Sequence, residues 1–133
     1  MPILNSINQM LNEMKSWRQD LHKIPEIGLK EYKTSKFIKD KLSEFNISYR
    51  EGYSNTGLVA WIKGEKGNSN KSIGLRADFD ALPMNEKNNF DHKSSHQGMM
   101  HACGHDGHTS MLLGAAKYLS ENKDFDGTVY FVF

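Results

Sequence analysis

The segment GLVAWIKG, residues 57–64, restricts the fold of this chain more than any other segment. Its apolar run is continuous between two glycines, which is typical of a buried strand rather than of an amphipathic helix. Two further segments read as strands of the same sheet. SIGLRADFDALP ends in two carboxylates and a proline, and DGTVYFVF is rich in β-branched and aromatic residues.

Helical patterns alternate with these strands. Apolar residues recur three and four positions apart over residues 3–22 and again over about 31–45, and a third helix is expected at about 108–121. The first two helices are separated at KIPEIG, because Pro25 disfavours a helical conformation at Ile24. This order predicts an α/β fold, a three-layer arrangement in which helices cover both faces of a sheet.

Composition and charge indicate which kinds of partner the chain can be expected to bind. Its 133 residues, 38% hydrophobic and 25% charged, suit one globular domain without a membrane span. The formal charge of +1 gives no reason to expect binding to nucleic acid or a membrane surface, so we expect a small-molecule partner. A single cysteine excludes an internal disulfide, and the N-terminal residues lack a signal-peptide pattern. We therefore expect a cytoplasmic location.

The segment HACGHDGH crowds three histidines and the chain's single cysteine in front of an apolar run. In an extended segment, residues two apart point to the same side, so His101, Cys103 and His105 would converge on one face. Imidazole and thiolate are ligands for zinc, manganese or cobalt. The segment therefore predicts a metal site at the N-terminus of a helix.

Other functions of these motifs remain open at this point. A structural zinc site would normally have four ligands in paired Cys-x-x-Cys form, which this chain does not supply. A Cys103 nucleophile activated by His105 would be geometrically awkward. In RADFDALP, Asp78 and Asp80 lie at the carboxyl end of a strand, where α/β sheets place ligand crevices. They could orient a ligand histidine or hold a catalytic base. The alternative is a pair of acids bonded to backbone or to Arg76.

Several other polar residues are expected to have structural roles. His92 and His96 lie in a polar loop without apolar periodicity, so we expect them to be solvated. His22 ends the first helix, where a cation suits the helix dipole. Asp106 or Thr109 is expected to cap the helix that follows the histidine cluster.

The segments WRQDLHKIPEIGLKEYKTSKFI, GLRADFDALPMNE and GMMHACGHDGHTSMLLGAA, in this order, carry a family resemblance. They resemble the N-terminal part of the metal-dependent amidohydrolases and carboxypeptidases that include hippurate hydrolase, N-acyl-amino-acid deacylases and the plant indole-acetyl-amino-acid hydrolases. The resemblance implies hydrolysis of N-acyl amino acids by a metal-activated water. It also implies two divalent ions per complete site, with zinc, manganese or cobalt as candidates.

The resemblance also assigns roles to particular residues. It implies that Cys103 and His105 are metal ligands. Asp80 matches the catalytic acid that steadies the metal site or the base, and Asp78 falls where related enzymes carry a ligand histidine. Three further residues match the motif with roles that stay open: His101, Asp106 and His108.

We interpret residues 1–133 as the N-terminal portion of the catalytic domain, without the lid and dimerisation domain. The chain ends on the apolar YFVF, which is unusual for a domain, and the family's catalytic glutamate is expected beyond it. We therefore expect little or no activity from the isolated chain. The alternative is a non-catalytic remnant that acts as a metal-binding or interaction domain. Whether the parent enzyme is a homodimer stays open.

Overall fold

The structure, a computed structural model, describes residues 4–133. It contains four helices and four strands within this range. In chain order they are α1 (Asn5–Gln9), α2 (Leu11–His22), α3 (Tyr32–Glu44), β1 (Ser48–Tyr53), β2 (Gly57–Lys63), β3 (Ser72–Arg76), α4 (His105–Glu121) and β4 (Thr128–Val132). No helix within residues 4–133 has both the length and the apolar character needed to cross a membrane.

The four strands form one mixed sheet in the order β1-β2-β4-β3. Strand β2 is antiparallel to both β1 and β4, whereas β3 runs parallel to β4, with Leu75 opposite Phe131. A parallel pair needs a crossover connection, and α4 lies within it. The carboxyl end of β3 therefore lies at the same edge of the sheet as that of β4.

The core lies between the helices and one face of the sheet. Residues from α2, α3 and α4 pack there against β2 and β4, among them Trp17, Ile38, Leu42, Leu58, Leu113 and Phe131. Helix α2 approaches α4 so closely that a Cβ on Gly114 would lie 2.8 Å from Met14 Sδ. On the other face, Trp61 is half-buried and Tyr130 is exposed.

The α/β class predicted from the sequence is confirmed. The three predicted strands and the helix at α3 are all present. Within the described residues, the helices of the core contact one face of the sheet, whereas the sequence predicted helices on both faces. Strand β1 was not predicted, because its sequence SYREGY is mostly exposed and has no apolar pattern.

Two helix boundaries differ from the predictions. The helix predicted over 3–22 divides at Met10, whose backbone N–H bonds to Ile7 O in a tighter three-residue turn. Its first predicted residue, Ile3, lies outside the described residues. Helix α4 begins at His105, one turn before the predicted start, because Gly104 takes the N-cap position with φ +103°. This left-handed conformation favours glycine.

Candidate metal site

Four polar residues meet where β3 ends and α4 begins. Ala77 and Phe79 are buried in the core, so the intervening Asp78 and the following Asp80 point away from it. His105 and His108 lie three residues apart on the first turn of α4, and their rings stack at 5.5 Å between centroids. We call Asp78, Asp80, His105 and His108 the strand-end cluster.

Asp80 fixes the orientation of the His105 ring. Nδ1 of His105 lies 2.8 Å from the carboxylate Oδ1 of Asp80 and 3.0 Å from its backbone oxygen. Both of these atoms only accept hydrogen bonds, so Nδ1 donates the hydrogen. Nε2 is then left with a lone pair in the neutral ring, and this carboxylate–histidine arrangement is typical of metal ligands.

Asp78 lies on the other side of His105. Nδ1 of His108 donates to Asp78 Oδ1 at 2.7 Å, and His105 Nε2 lies 3.8 Å from Asp78 Oδ2. Arg76 is less close, with Nη1 at 3.9 Å from Oδ2. Burial alone would raise the pKa of Asp78. The hydrogen bond from His108 and the nearby charge of His105 outweigh it, so this pKa is lowered.

Three residues of the strand-end cluster offer ligand atoms for a cation. One ligand atom each from Asp78, His105 and His108 lie within 4.8 Å of one another. The His105 side chain is 17% exposed and that of His108 is 48% exposed, so an ion can reach them from solvent. Imidazole nitrogens with a carboxylate oxygen suit zinc, manganese or cobalt. The residues present therefore fit a divalent ion.

The extended segment on which the predicted convergence of His101, Cys103 and His105 depended is not formed. His101 is buried, Cys103 is exposed and His105 belongs to α4, because the chain turns at Gly104. Cys103 lies outside the group of three potential ligands found among residues 4–133. Its role as a ligand, like that of Asp80 in catalysis, stays a prediction.

His101 has an unusual environment. It is 5% exposed, and neither ring nitrogen has a hydrogen-bond partner within the described part of the chain. Burial lowers the pKa of His101, and the charges of His22 and His105 lower it further, although the Asp106 carboxylate acts in the opposite direction. A neutral imidazole is therefore favoured at this position.

A second polar cluster lies behind the first. His22 Nδ1 is 2.7 Å from Asp106 Oδ2, and its Nε2 is 3.1 Å from Glu86 Oε1. The side chains of Asp106 and Glu86 are only 1% and 3% exposed, and that of His22 is 12% exposed. We call His22, Glu86 and Asp106 the buried cluster.

Several sequence expectations for neighbouring residues are corrected. Neither Asp106 nor Thr109 is the N-cap residue of α4, which is Gly104. Asp106 accepts from the first-turn Gly107 N at 2.8 Å, and Thr109 donates to Asp78 O at 3.0 Å. His96 is half-buried rather than solvated, with Nδ1 2.8 Å from Pro25 O and Nε2 3.2 Å from Lys33 Nζ. The involvement of Glu86 was missed, because it lies in a loop with no periodic signal.

Comparisons with known proteins agree with this geometry. Residues 74–133 match the model of peptidase family M20/M25/M40. The whole chain is 44% identical over 133 residues to hippurate hydrolase of Campylobacter jejuni, covering 34% of that protein. It is also 49% identical over 107 residues to the N-acetyl-L-cysteine deacetylase of Bacillus subtilis, a match that covers 80% of this chain and 25% of that protein.

A solved structure shows the same fold. The Bacillus subtilis YXEP protein, described as a dinuclear metal-binding peptidase of the M20 family, superposes with a TM-score of 0.88 at 38% identity. The match covers 95% of this chain and 35% of the YXEP chain. This chain thus spans a quarter to a third of the length of these relatives. The match of residues 74–133 to the family model, the shared fold and the similarity along the whole chain show that this chain belongs to peptidase family M20/M25/M40.

Proposed function

We propose that the protein containing this chain is a metal-dependent hydrolase that cleaves the amide bond of N-acyl amino acids, with hippurate-like molecules as substrates. The observation that carries the proposal is the His105 ring, fixed by Asp80 with Nε2 directed toward Asp78. Relatives named hippurate hydrolase and N-acetyl-L-cysteine deacetylase support this substrate class.

The strand-end cluster would hold a divalent ion through His105, with Cys103 as a second ligand according to the family resemblance. Asp78 and His108 offer further donor atoms in the geometry described above. A bound divalent ion supplies Lewis acidity, which polarises an amide carbonyl and makes a water nucleophilic at neutral pH. The part of Asp80 is to keep the hydrogen of His105 on Nδ1, which directs the lone pair of Nε2 toward the site.

We further propose that residues 1–133 are the N-terminal portion of the catalytic domain, without the lid and dimerisation domain. The coverage of only a quarter to a third of each relative supports this assignment. The family's catalytic glutamate is not among the motifs of these residues. The isolated chain should therefore bind metal weakly and hydrolyse little or no substrate. A cytoplasmic location remains part of the proposal.

The test compares two purified proteins: the product of the complete reading frame and the 133-residue chain alone. Each is assayed for release of glycine from hippurate and of other amino acids from their N-acetyl forms. We expect the longer product to be active, to lose activity with a chelator and to regain it when zinc, manganese or cobalt is returned. A His92→Gln variant of the longer product serves as a control and should stay active, because His92 lies outside the strand-end cluster.

Two results would contradict the proposal. Hydrolysis that survives complete metal removal would show that no ion takes part. A reading frame that yields a stable product no longer than 133 residues, without hydrolytic activity, would instead favour a non-catalytic metal-binding or interaction domain. The intact mass of the cellular product, compared with the 15.2 kDa of this chain, distinguishes the second case directly.

A further inference from the structure

The buried cluster connects three separate parts of the chain. His22 is the last residue of α2, Glu86 lies in the loop between β3 and α4, and Asp106 is the second residue of α4. His22 stands 84 residues from Asp106 and 64 from Glu86 in sequence, yet its two ring nitrogens contact one carboxylate from each. It therefore joins all three segments through one side chain.

His22 is a largely buried side-chain partner of both carboxylates. Arg18 also approaches Asp106, with Nε 3.5 Å from Oδ2, but its side chain is 58% exposed. Glu86 otherwise receives hydrogen bonds from the Asn88 side chain and the Ser94 backbone. Because a buried carboxylate that loses one of its partners is destabilised, loss of His22 should displace Asp106, Glu86 or both.

Displacement of Asp106 would be transmitted to the strand-end cluster. Asp106 directly follows His105, its Oδ1 accepts from Gly107 N at 2.8 Å, and its backbone oxygen accepts from Ser110 Oγ at 2.8 Å. Asp106 thus stabilises the first turn of α4, while Asp80 separately fixes the orientation of the His105 ring. Small movements of this turn would change where Nε2 of His105 points.

We propose that His22 is a positioning residue for His105, acting through Asp106 and the first turn of α4. The contact to Glu86 serves a different purpose. It fastens the loop to the end of α2, where Ser95 also bonds to Lys23 O, with N and Oγ at 2.9 and 2.6 Å. The proposal rests on the function proposed above only in naming His105 as a metal ligand.

Two substitutions separate the two contacts. The side-chain amide nitrogen of asparagine can replace Nδ1 of histidine, and that of glutamine can replace Nε2. His22→Asn should therefore keep the bond to Asp106, and His22→Gln should keep the bond to Glu86. If His22 acts through Asp106, the asparagine variant resembles the wild type at His105 and the glutamine variant does not. His92→Gln serves as the control on a neighbouring ring.

The first measurement is the imidazole N–H spectrum of the complete protein, labelled with ¹⁵N-histidine. We expect a protected Nδ1–H resonance for His105 in the wild type, in His22→Asn and in His92→Gln. In His22→Gln we expect it to broaden or to exchange rapidly. Equal protection in all four proteins would overturn the proposal, as would greater loss in the asparagine variant.

The second measurement is the affinity for Co²⁺ per folded molecule. We expect a decrease of about tenfold or more in His22→Gln and a smaller one in His22→Asn. Equal affinities would overturn the positioning role. If the wild type binds no Co²⁺ at all, the proposed function fails, whereas the imidazole spectrum still decides the proposal for His22.

Discussion

The strand-end cluster and the buried cluster lie on either side of the first turn of α4 and use the same residue types. They differ in what their histidines face. His105 and His108 are partly open to solvent, and His105 has one ring nitrogen free for a ligand. His22 is nearly enclosed, and both of its ring nitrogens contact carboxylates. A histidine with a free nitrogen is suited to binding, whereas one with two occupied nitrogens is suited to holding segments together.

The largest expected effect is on stability, which should depend on the buried cluster more than on the strand-end cluster. Asp106→Ala removes a buried partner of His22, so the free energy of unfolding should fall by about 3–5 kcal/mol. Asp78→Ala is the matched change in the strand-end cluster, and its cost should be about 0–1 kcal/mol because its pairs are partly solvated. Urea unfolding of both variants measures the two values. Equal losses would remove the distinction between the clusters.

Affinity for metal, unlike stability, should depend more on the strand-end cluster. Asp80→Asn disturbs the bond that keeps the hydrogen on Nδ1 of His105, so affinity for a divalent ion should decrease by about 10–100-fold. Stability without metal should change little, since Asp80 is partly exposed. Calorimetric titration with zinc, alongside urea unfolding of the metal-free protein, checks both parts. An unchanged zinc affinity would show that Asp80 does not orient a ligand.

The contribution of Cys103 is expected to be distinctive in its spectrum. If the thiolate binds the ion, the cobalt-loaded protein should show a thiolate-to-cobalt charge-transfer band in the near ultraviolet. Cys103→Ser should abolish that band and Asp78→Asn should keep it. A wild-type spectrum without the band would show that the ion is held by nitrogen and oxygen donors, as in the group of Asp78, His105 and His108.

The smallest expected effect concerns pH. Burial raises the pKa of Glu86, but hydrogen bonds from Ser94, Asn88 and His22 outweigh it and leave the pKa below its usual 4.5. Because the folded-state pKa is the lower one, this stabilisation is present above 4.5 and is lost as pH falls through the folded value. Glu86→Gln should therefore make the free energy of unfolding depend less on pH in the acid range. Urea unfolding across the acid range measures it, and an unchanged pH dependence would contradict the assignment.

Patterns within short segments predicted much of the fold. The apolar run of β2 and the β-branched residues of β4 identified both strands, and the family motifs placed His105 and Asp80 at one site. Strand β1 escaped because an exposed edge strand needs no apolar face. The boundary at Gly104 escaped because a left-handed residue at the N-cap has no periodic signal.

Contacts between distant residues were not predictable in the same way. The pairing of His22 with Asp106 spans 84 residues, and that of His108 with Asp78 spans 30. The packing of α2 on α4 and the connection from β3 to α4 decide which side chains meet. Local sequence alone also could not show that Cys103 is exposed while His101 is buried, since both depend on the turn at Gly104.

The most direct test of the account is the position of a bound ion. Crystals of the complete protein grown with zinc would be measured by anomalous diffraction at the zinc edge. The account predicts a peak at about 2.0–2.1 Å from Nε2 of His105, on the side facing Asp78. A peak bound only to other residues, or none at a zinc concentration that supports hydrolysis, would contradict it.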